Sequence, residues 1–294
     1  MAESTRSEGI IDAPDRPATP PPRRPWTDLG PRLLSAAVLI AITLTGLYLG
    51  GYVFAALVGA VIAGCYREWE RMVTLKPLTP QGGVLIALLA ISALVYPFGG
   101  IAMTLGIVAL ACIVALFAEH PVGLWRAGGL AFFGLVIVAL LGMRGTSTDG
   151  IYAGIFLAAV IWLTDSGAFF TGRQIGGERL APDISPSKTW SGAIGGFAFG
   201  TLAGLVVWLI VAPASPWWIG LGVAAAVSIL GQIGDLAESA IKRRFRVKDS
   251  GDIIPGHGGL MDRLDSLTFG VLLIYAVGLS RAGFEHVPAG FLQW

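Results

Sequence analysis

A long polar interruption separates two apolar runs of the chain, and it reads Ser239-Ala-Ile-Lys-Arg-Arg-Phe-Arg-Val-Lys-Asp-Ser-Gly-Asp-Ile-Ile-Pro-Gly-His-Gly-Gly-Leu-Met-Asp-Arg-Leu-Asp265. Five basic residues stand close together in its first half. A glycine-rich turn, Pro255-Gly-His-Gly-Gly259, follows, and then Asp262 and Asp265 flank Arg263. Cations, flexible backbone N–H donors and carboxylates of the kind that bind metal ions are the groups needed to hold a polyphosphate. The stretch therefore predicts a polyphosphate site, which the rest of the chain is expected to hold at a membrane surface.

The composition around this stretch is that of an integral membrane protein. Of 294 residues, 54% are hydrophobic and 13% are charged, whereas a soluble domain carries roughly 25% charged residues. The net charge of +1 gives no indication of nucleic-acid binding. Cys65 and Cys112 lie in apolar runs without a CxxC pattern, which excludes a disulfide framework and a cysteine zinc site.

The apolar runs predict an all-α fold, a polytopic helical bundle. A spanning helix needs about 20 apolar residues, and fewer inside a bundle. Gly50-Gly51 separates the first two runs, so these form either a tight hairpin or one broken helix. About nine transmembrane helices are expected, over 33–49, 52–66, 82–97, 100–118, 127–143, 150–170, 192–212, 217–241 and 266–282.

The chain divides into three parts by composition. Residues 1–31 are polar and rich in proline and arginine, so we expect a disordered cytoplasmic tail. This tail has no apolar core followed by a cleavage site and is therefore not a signal peptide. Residues 32–149 form N-terminal transmembrane helices. Residues 150–294 form a C-terminal transmembrane region with the candidate catalytic loops 171–191 and 242–265.

The basic residues indicate the orientation. With nine spans and the N-terminus inside, every Lys and Arg except Arg144 and Arg281 falls in a segment on the inner side. Positive charge is enriched in cytoplasmic segments of membrane proteins. We therefore expect a cytoplasmic N-terminus, with both polar loops facing the cytoplasm of a bacterial-type plasma (inner) membrane.

Three carboxylates, Asp165, Asp235 and Glu238, lie inside or at the edge of apolar runs. A charge at the bilayer centre costs about 2.5–3.5 kcal/mol on insertion scales, so such residues usually have a function. In a helix, Asp235 shares a face with Ser239, and Glu238 shares one with Lys242. Snorkelling or salt-bridged helix ends are the alternative interpretation, which the convergence of several carboxylates on one membrane side disfavours.

Carboxylates without cysteines, and with only three histidines in the chain, favour a hard cation such as Mg²⁺ over zinc or copper. His257 has an open role: phosphate donor, general acid or turn residue. The basic cluster 242–248 could alternatively anchor the chain to anionic lipid. Ser185-Pro-Ser-Lys-Thr189 reads as a short turn that presents Lys188, and it lacks the spacing of a P-loop.

Together these motifs resemble the signature of phosphatidate cytidylyltransferases (CDP-diacylglycerol synthases). The resemblance is strong over about 150–282. It rests on Asp165-Ser-Gly-Ala, Gly172-Arg173, Ser185-Pro-x-Lys188-Thr189, Gly234-Asp235-x-x-Glu238-Ser239, Lys242-Arg243, Lys248-Asp249 and Pro255-Gly-His-Gly-Gly259-x-x-Asp262-Arg263-x-Asp265.

The resemblance implies a nucleotidyltransferase that joins CTP and phosphatidate to give CDP-diacylglycerol and pyrophosphate. The implied catalytic residues are Asp235, Asp262, Asp265, Lys188, Lys248, Arg263 and His257. The implied substrate-binding residues are Asp165, Ser185, Thr189, Ser239, Lys242, Arg243, Gly256, Gly258 and Gly259. The implied metal ligands are Asp235 and Asp262, supported by Asp265, Asp165 and Glu238.

The resemblance also suggests potassium as a second ion beside Mg²⁺. The expected partners are CTP, phosphatidate and membrane lipid, with a homodimer as an open expectation and no nucleic acid. Two competing functions remain at this point. One is a cytidylyltransferase for a related lipid phosphate. The other is a membrane transporter, which the absence of an internal repeat disfavours.

Overall fold

The computed structural model describes residues 29–118, 120–251 and 259–294, and the side chains from residue 37 onward. The predicted tail lies outside the described residues except for 29–31, where the first helix already begins. Gly256, His257 and Gly258 also lie outside them. The helices are α1 Leu29–Leu49, α2 Gly51–Thr74, α3 Pro80–Leu116, α4 Val122–Arg144, α5 Thr148–Ile175, α6 Trp190–Val211, α7 Trp217–Arg244, α8 Asp265–Ala282 and α9 Val287–Leu292. The remaining elements are the strands β1 Arg179–Ala181 and β2 Ser185–Thr189 and a 3₁₀ helix, Met261–Arg263.

The long helix α3 is two antiparallel segments joined at Gly100. Gly100 has φ 62° and ψ −162°, a left-handed conformation that glycine adopts without a steric penalty. Thr104 Oγ1 donates to the Ser92 carbonyl at 3.0 Å, and Gln81 Nε2 donates to the Val114 carbonyl at 3.0 Å. In a straight helix, residues 81 and 114 would lie about 50 Å apart. The chain therefore turns back at Gly100, as the two predicted spans 82–97 and 100–118 require.

The helices α1 and α2 form the tight hairpin that was one of the two expectations for Gly50-Gly51. Gly50 has φ 62° and Gly51 has φ 49°. Leu57 of α2 packs directly over Gly46 of α1, a contact that one continuous helix would not allow. The broken-helix alternative is wrong, because two consecutive left-handed residues reverse the chain direction.

The fold is a polytopic helical bundle. Seven of the described helices are long and apolar enough to cross a membrane, counting the folded-back α3 once. The described side chains of α1 add a shorter apolar segment, Ala37–Leu49. Every predicted span thus lies in a helix, apart from the last one or two residues of 100–118 and 192–212.

Two elements depart from the expectation. Ser185–Thr189 is a strand and not a turn, because it pairs with β1 as an antiparallel hairpin, with Arg179 opposite Thr189 and Ala181 opposite Ser185. The C-terminal α9, for which the sequence predicted no helix, does not span. It packs on the rest of the bundle through Phe291, whose ring centroid lies 5.4 Å from that of Phe156.

Helix ends from both halves of the chain meet at one end of the bundle. Arg126, at the start of α4, binds Glu70 at the end of α2 in a buried ion pair. The same guanidinium donates to Gln81 Oε1 at 2.7 Å and to Thr79 Oγ1 at 3.2 Å. This network ties the N-terminal half together at the end that carries the polar loops, and we call it the site end.

Candidate active site

The β-hairpin positions Lys188. Its second strand runs directly into α6, whose first turn is capped by Thr189: the Thr189 Oγ1 accepts from the Gly192 N–H at 3.1 Å. Lys188, next to this cap, extends to α7, where its Nζ lies 2.5 Å from Asp235 Oδ2. The loop 171–191 is thus joined to α7 by an ion pair that is partly open to solvent.

Asp235 is one of three carboxylates that close helix packing brings together. Gly234 of α7 lies against the backbone of Asp265, where a Cβ would sit 2.6 Å from its carbonyl oxygen. The negative charge of Asp235 acts on both Asp165 and Asp265, and the positive charge of Lys188 partly compensates it at both positions. Helices α5, α7 and α8 therefore each contribute one carboxylate, and we call Asp165, Asp235 and Asp265 the acidic group.

A second centre forms one helical turn further along α7. Lys242 Nζ lies 3.2 Å from Glu238 Oε1 and also donates to Asp262 Oδ1. The other Asp262 oxygen, Oδ2, accepts from Ser250 Oγ at 2.9 Å and from the Gly259 N–H at 3.2 Å. Lys242 thus connects α7 to the 3₁₀ helix.

Asp262 lies outside the spanning helices, and its environment favours the ionised form. Burial alone would raise the pKa of its carboxyl. The hydrogen bonds from Lys242 and Ser250 outweigh burial and lower the pKa to about 2. Asp262 is therefore a carboxylate at any pH where a membrane enzyme works.

The predicted metal ligands fall into these two centres rather than one cage. In 29–118, 120–251 and 259–294, no group of three or more Asp, Glu, His or Cys side chains has metal-binding geometry. The donor chemistry nevertheless fits a hard cation, since every predicted ligand is a carboxylate. The buried Glu238 has its ion pair with Lys242, and within the described part of the chain its carboxyl oxygens have no further hydrogen bond. The metal-ligand assignment stays a prediction.

Two cavities of different character are lined by carboxylates of the acidic group. The first, of about 560 Å³, has charged and polar side chains in a partly apolar wall, and we call it the polar cavity. These side chains include Asp165, Arg173, Lys188, Gln232 and Asp235. The second, of about 260 Å³, is almost entirely apolar. It is lined by Trp69, Phe132, Phe133 and Phe269, with Glu238 and Asp265 in its wall. Asp165 and Asp235 thus line the first cavity, and Asp265 lines the second.

The other predicted residues are distributed around these centres. Arg243 donates to the Ile184 carbonyl at 3.2 Å and so supports the β-hairpin turn. Gly259 directs its N–H to Asp262. Ser185 and Ser239 are half-buried, whereas Lys248 and Arg263 are exposed, with Arg263 near enough to Asp165 to offset its charge.

The structure adds Glu68 and Ser250, which the sequence interpretation missed. Glu68 of α2 accepts from the Leu260 and Met261 N–H groups at 2.9 and 2.8 Å. Ser250 joins Glu68 to Asp262. The available signal was the charged run Arg67–Arg71, which directly follows the second apolar run.

Comparison with known proteins identifies the family. The sequence matches the family described as "Cytidylyltransferase family" over residues 31–280. The chain belongs to this family. It is 37% identical to a phosphatidate cytidylyltransferase of Brucella abortus (strain 2308) over 270 residues, 91% of this chain and 100% of that relative.

Two further relatives show the same extent of similarity. A phosphatidate cytidylyltransferase of Brucella suis biovar 1 is 37% identical over 86% of this chain and 94% of the relative. One of Staphylococcus epidermidis (strain ATCC 12228 / FDA PCI 1200) is 34% identical over 81% of this chain and 94% of the relative. The resemblance found from the motifs is confirmed, and it extends through the N-terminal helices.

Proposed function

We propose that this membrane protein is a phosphatidate cytidylyltransferase, which transfers CMP from CTP to phosphatidate and releases pyrophosphate. The observation that supports this most directly is that the acidic group lines both the polar cavity and an apolar one. A nucleotide and a lipid phosphate are substrates of this kind, because one is polyanionic and the other carries its phosphate on an apolar body. The relatives' name specifies the same pair.

In this reaction a phosphate oxygen of phosphatidate forms a bond to the α-phosphorus of CTP. The bond from that phosphorus to the bridging oxygen breaks, and pyrophosphate leaves with the electron pair. A phosphomonoester has a second pKa near 6, so the attacking oxygen is largely ionised at pH 7. No strong general base is required, and the main task is to hold two polyanions together.

The cations of the site end match that task. Lys188 and Arg173 line the polar cavity, whose volume of about 560 Å³ is in the range of ligand pockets. We assign this cavity to the nucleotide. Arg263, exposed beside the acidic group, and Lys242 are assigned to the phosphates near the reacting phosphorus. The role of His257 stays a prediction.

Mg²⁺, when bound, would neutralise negative charge on the phosphates and on the leaving pyrophosphate. The residues that would hold it are the acidic group, with Glu238 and Asp262 nearby. Potassium as a second ion and a homodimer remain predictions of the sequence. The apolar cavity between α2, α4, α7 and α8 is assigned to the lipid, whose chains enter from the surrounding leaflet.

We also propose that the site end faces the cytoplasm of a bacterial plasma membrane. CTP is a cytoplasmic polyanion that does not cross lipid. Most of the basic residues outside the N-terminal segment lie in the segments 67–81, 119–126, 171–191 and 242–265. The positive-inside rule requires this distribution for the proposed orientation.

The test is CTP-dependent pyrophosphate release by the purified protein in mixed micelles, with and without phosphatidate and Mg²⁺. We expect release only when all three are present, and formation of the cytidine lipid in equal amount. Lys188→Gln should abolish release. Lys76→Gln, which removes an exposed lysine at the same end of the bundle, should not.

A substrate panel decides the lipid class. If the protein prefers a prenyl or ether-linked lipid phosphate, that lipid and not phosphatidate is its substrate. Pyrophosphate release without any lipid acceptor would contradict the proposal, because water would then be the acceptor.

A further inference from the structure

Glu68 lies far in sequence from every predicted site residue, yet it contacts the loop that carries them. Its side chain, on α2, is 1% exposed. Oε1 accepts from the Leu260 N–H at 2.9 Å, and Oε2 accepts from the Met261 N–H at 2.8 Å. Glu68 is therefore held by the loop, and the loop is held by Glu68.

The same carboxylate also contacts the residues that precede the 252–258 segment. Ser250 Oγ lies 3.2 Å from Glu68 Oε2 and 2.9 Å from Asp262 Oδ2. A hydroxyl donates its one proton to one acceptor at a time. Ser250 Oγ lies within hydrogen-bond distance of both carboxylates and can donate to either, so it links them. One side chain of α2 thus contacts the chain on both sides of 252–258.

Two glycines allow this close approach. A Cβ at Gly251 would lie 2.5 Å from Glu68 Oε1. A Cβ at Gly259 would lie 1.9 Å from Ser250 Oγ and 2.9 Å from Glu68 Oε2. Cβ atoms essentially never come within 3.0 Å of a non-bonded heavy atom of another residue. The residues immediately before and after 252–258 are therefore glycines that lie directly against the Glu68 carboxylate.

We propose that Glu68 is a positioning residue for the reaction: it fixes both flanks of 252–258 against α2 and, through Ser250, sets the place of Asp262. The 3₁₀ helix that begins at Met261 carries Arg263 and leads into Asp265. Its placement relative to α7 therefore depends on the two hydrogen bonds that Leu260 and Met261 N–H donate to Glu68 of α2. Glu68 contacts no phosphate itself. The inference rests on the proposed cytidylyl transfer for its kinetic part only.

Glu68→Gln tests this proposal. One of the two accepting oxygens becomes an amide nitrogen, which cannot accept the hydrogen bond from a loop N–H group. We expect faster amide hydrogen exchange at 259–262 and a fall in kcat of about tenfold to a hundredfold, the range for slight misplacement of catalytic groups. The KM for CTP should change much less, because the polar cavity is not involved.

Glu70→Gln is the matched control. Glu70 is equally buried on the same helix, but it binds Arg126 and not the loop. We expect it to lower the melting temperature while exchange at 259–262 and kcat per folded molecule stay at wild-type values.

Gly251→Ala approaches the same contact from the other side and leaves Glu68 intact. Its methyl group should displace the loop and reproduce both the exchange and the kcat effects. In Glu68→Ala/Gly251→Ala the collision is removed, so the double variant should be less impaired than the sum of the two single changes.

Wild-type exchange and kcat in Glu68→Gln would overturn the proposal. Faster exchange throughout α2 and α4, as strong as at 259–262, would also overturn it in favour of a general role in stability. If the wild type does not turn over CTP, the proposed function fails, and the exchange comparison still decides whether Glu68 positions the loop.

Discussion

The two ends of the helical bundle use their cations differently. At the end opposite the site, which we call the far end, Arg144 and Arg281 bind backbone carbonyls. Arg144 donates to the Tyr48 carbonyl at 3.1 Å and to the Ser147 carbonyl at 3.2 Å, and Arg281 donates to the Gly290 carbonyl at 2.6 Å. At the site end, Arg243 also binds a backbone carbonyl, but Lys188 and Lys242 bind carboxylates.

The difference teaches what each end is built for. An arginine that donates to the last carbonyls of a helix satisfies groups that have no partner within the helix, so it contributes to the stability of the fold. A lysine paired with a carboxylate can exchange its partner when a phosphate and a cation arrive together, since both charges remain compensated. The arginines of the far end therefore stabilise the fold. The lysines and carboxylates of the site end can instead form new ion pairs with the phosphates and the metal ion of the proposed reaction.

The strongest test of this comparison is whether the ends face opposite sides of the membrane. Single cysteines at Ser187 and Ser147, both exposed, should give an all-or-none difference in intact cells. Cysteine at 187 should react with a membrane-impermeant thiol reagent only after the membrane is opened, and cysteine at 147 should react from outside. The background is Cys65→Ala/Cys112→Ala, after activity has been verified.

Reaction of the cysteine at position 187 in sealed cells would invert the topology and contradict a cytoplasmic site. Ser250 is a poor reporter for this purpose because it is only 8% exposed.

The next largest effect is expected at the site end. Asp262→Asn removes the charge that Lys242 and Ser250 contact while keeping the side-chain size. We expect at least a hundredfold loss of pyrophosphate release from a protein that still inserts and folds, as for loss of a group that stabilises transferred charge. Asp149→Asn, at the far end, is the control, since the Asp149 carboxylate accepts from Gln293 Nε2 at 3.0 Å, far from the acidic group. Wild-type turnover of Asp262→Asn at limiting Mg²⁺ would remove Asp262 from the site.

A smaller effect, on stability alone, is expected at the far end. Arg144→Ala leaves the carbonyls at the end of α1 without their donor, and unsatisfied buried groups cost about 1–3 kcal/mol each. We expect a loss of about 3 kcal/mol in the free energy of unfolding, with kcat per folded molecule unchanged. Thermal unfolding in detergent, alongside the kinetics, measures both. A fall in kcat at unchanged stability would show that the far end communicates with the site.

The smallest effect concerns pH. The pKa of Asp262 is lowered to about 2 in the folded protein, below its unfolded value near 3.9. Its contribution to stability is therefore fully present above about pH 4 and is lost as the pH falls towards 2. The stability difference between wild type and Asp262→Asn should be the same at pH 7 and pH 5. A difference that shrinks already between pH 7 and pH 5 would mean that Lys242 does not hold Asp262 ionised.

The sequence alone was enough to predict the helical bundle, because the length and apolarity of each span are local properties. The Gly50-Gly51 and Gly100 reversals are also local, since glycine permits a left-handed backbone. The motifs around Asp235 and Asp262 indicated the family, and the chemistry of a carboxylate or a lysine follows from the residue type. These features require no knowledge of which helices are neighbours.

The tertiary structure decided which charged groups meet. Asp235 pairs with Lys188, and Asp262 pairs with Lys242, although the sequence interpretation placed both aspartates in one metal site. The strand character of 185–189 depends on pairing with β1, and no pattern inside the five residues shows it. Glu68 reaches Met261 across 193 positions of sequence. Such contacts depend on how helices pack, and hydrophobic periodicity records only which side of each helix is buried.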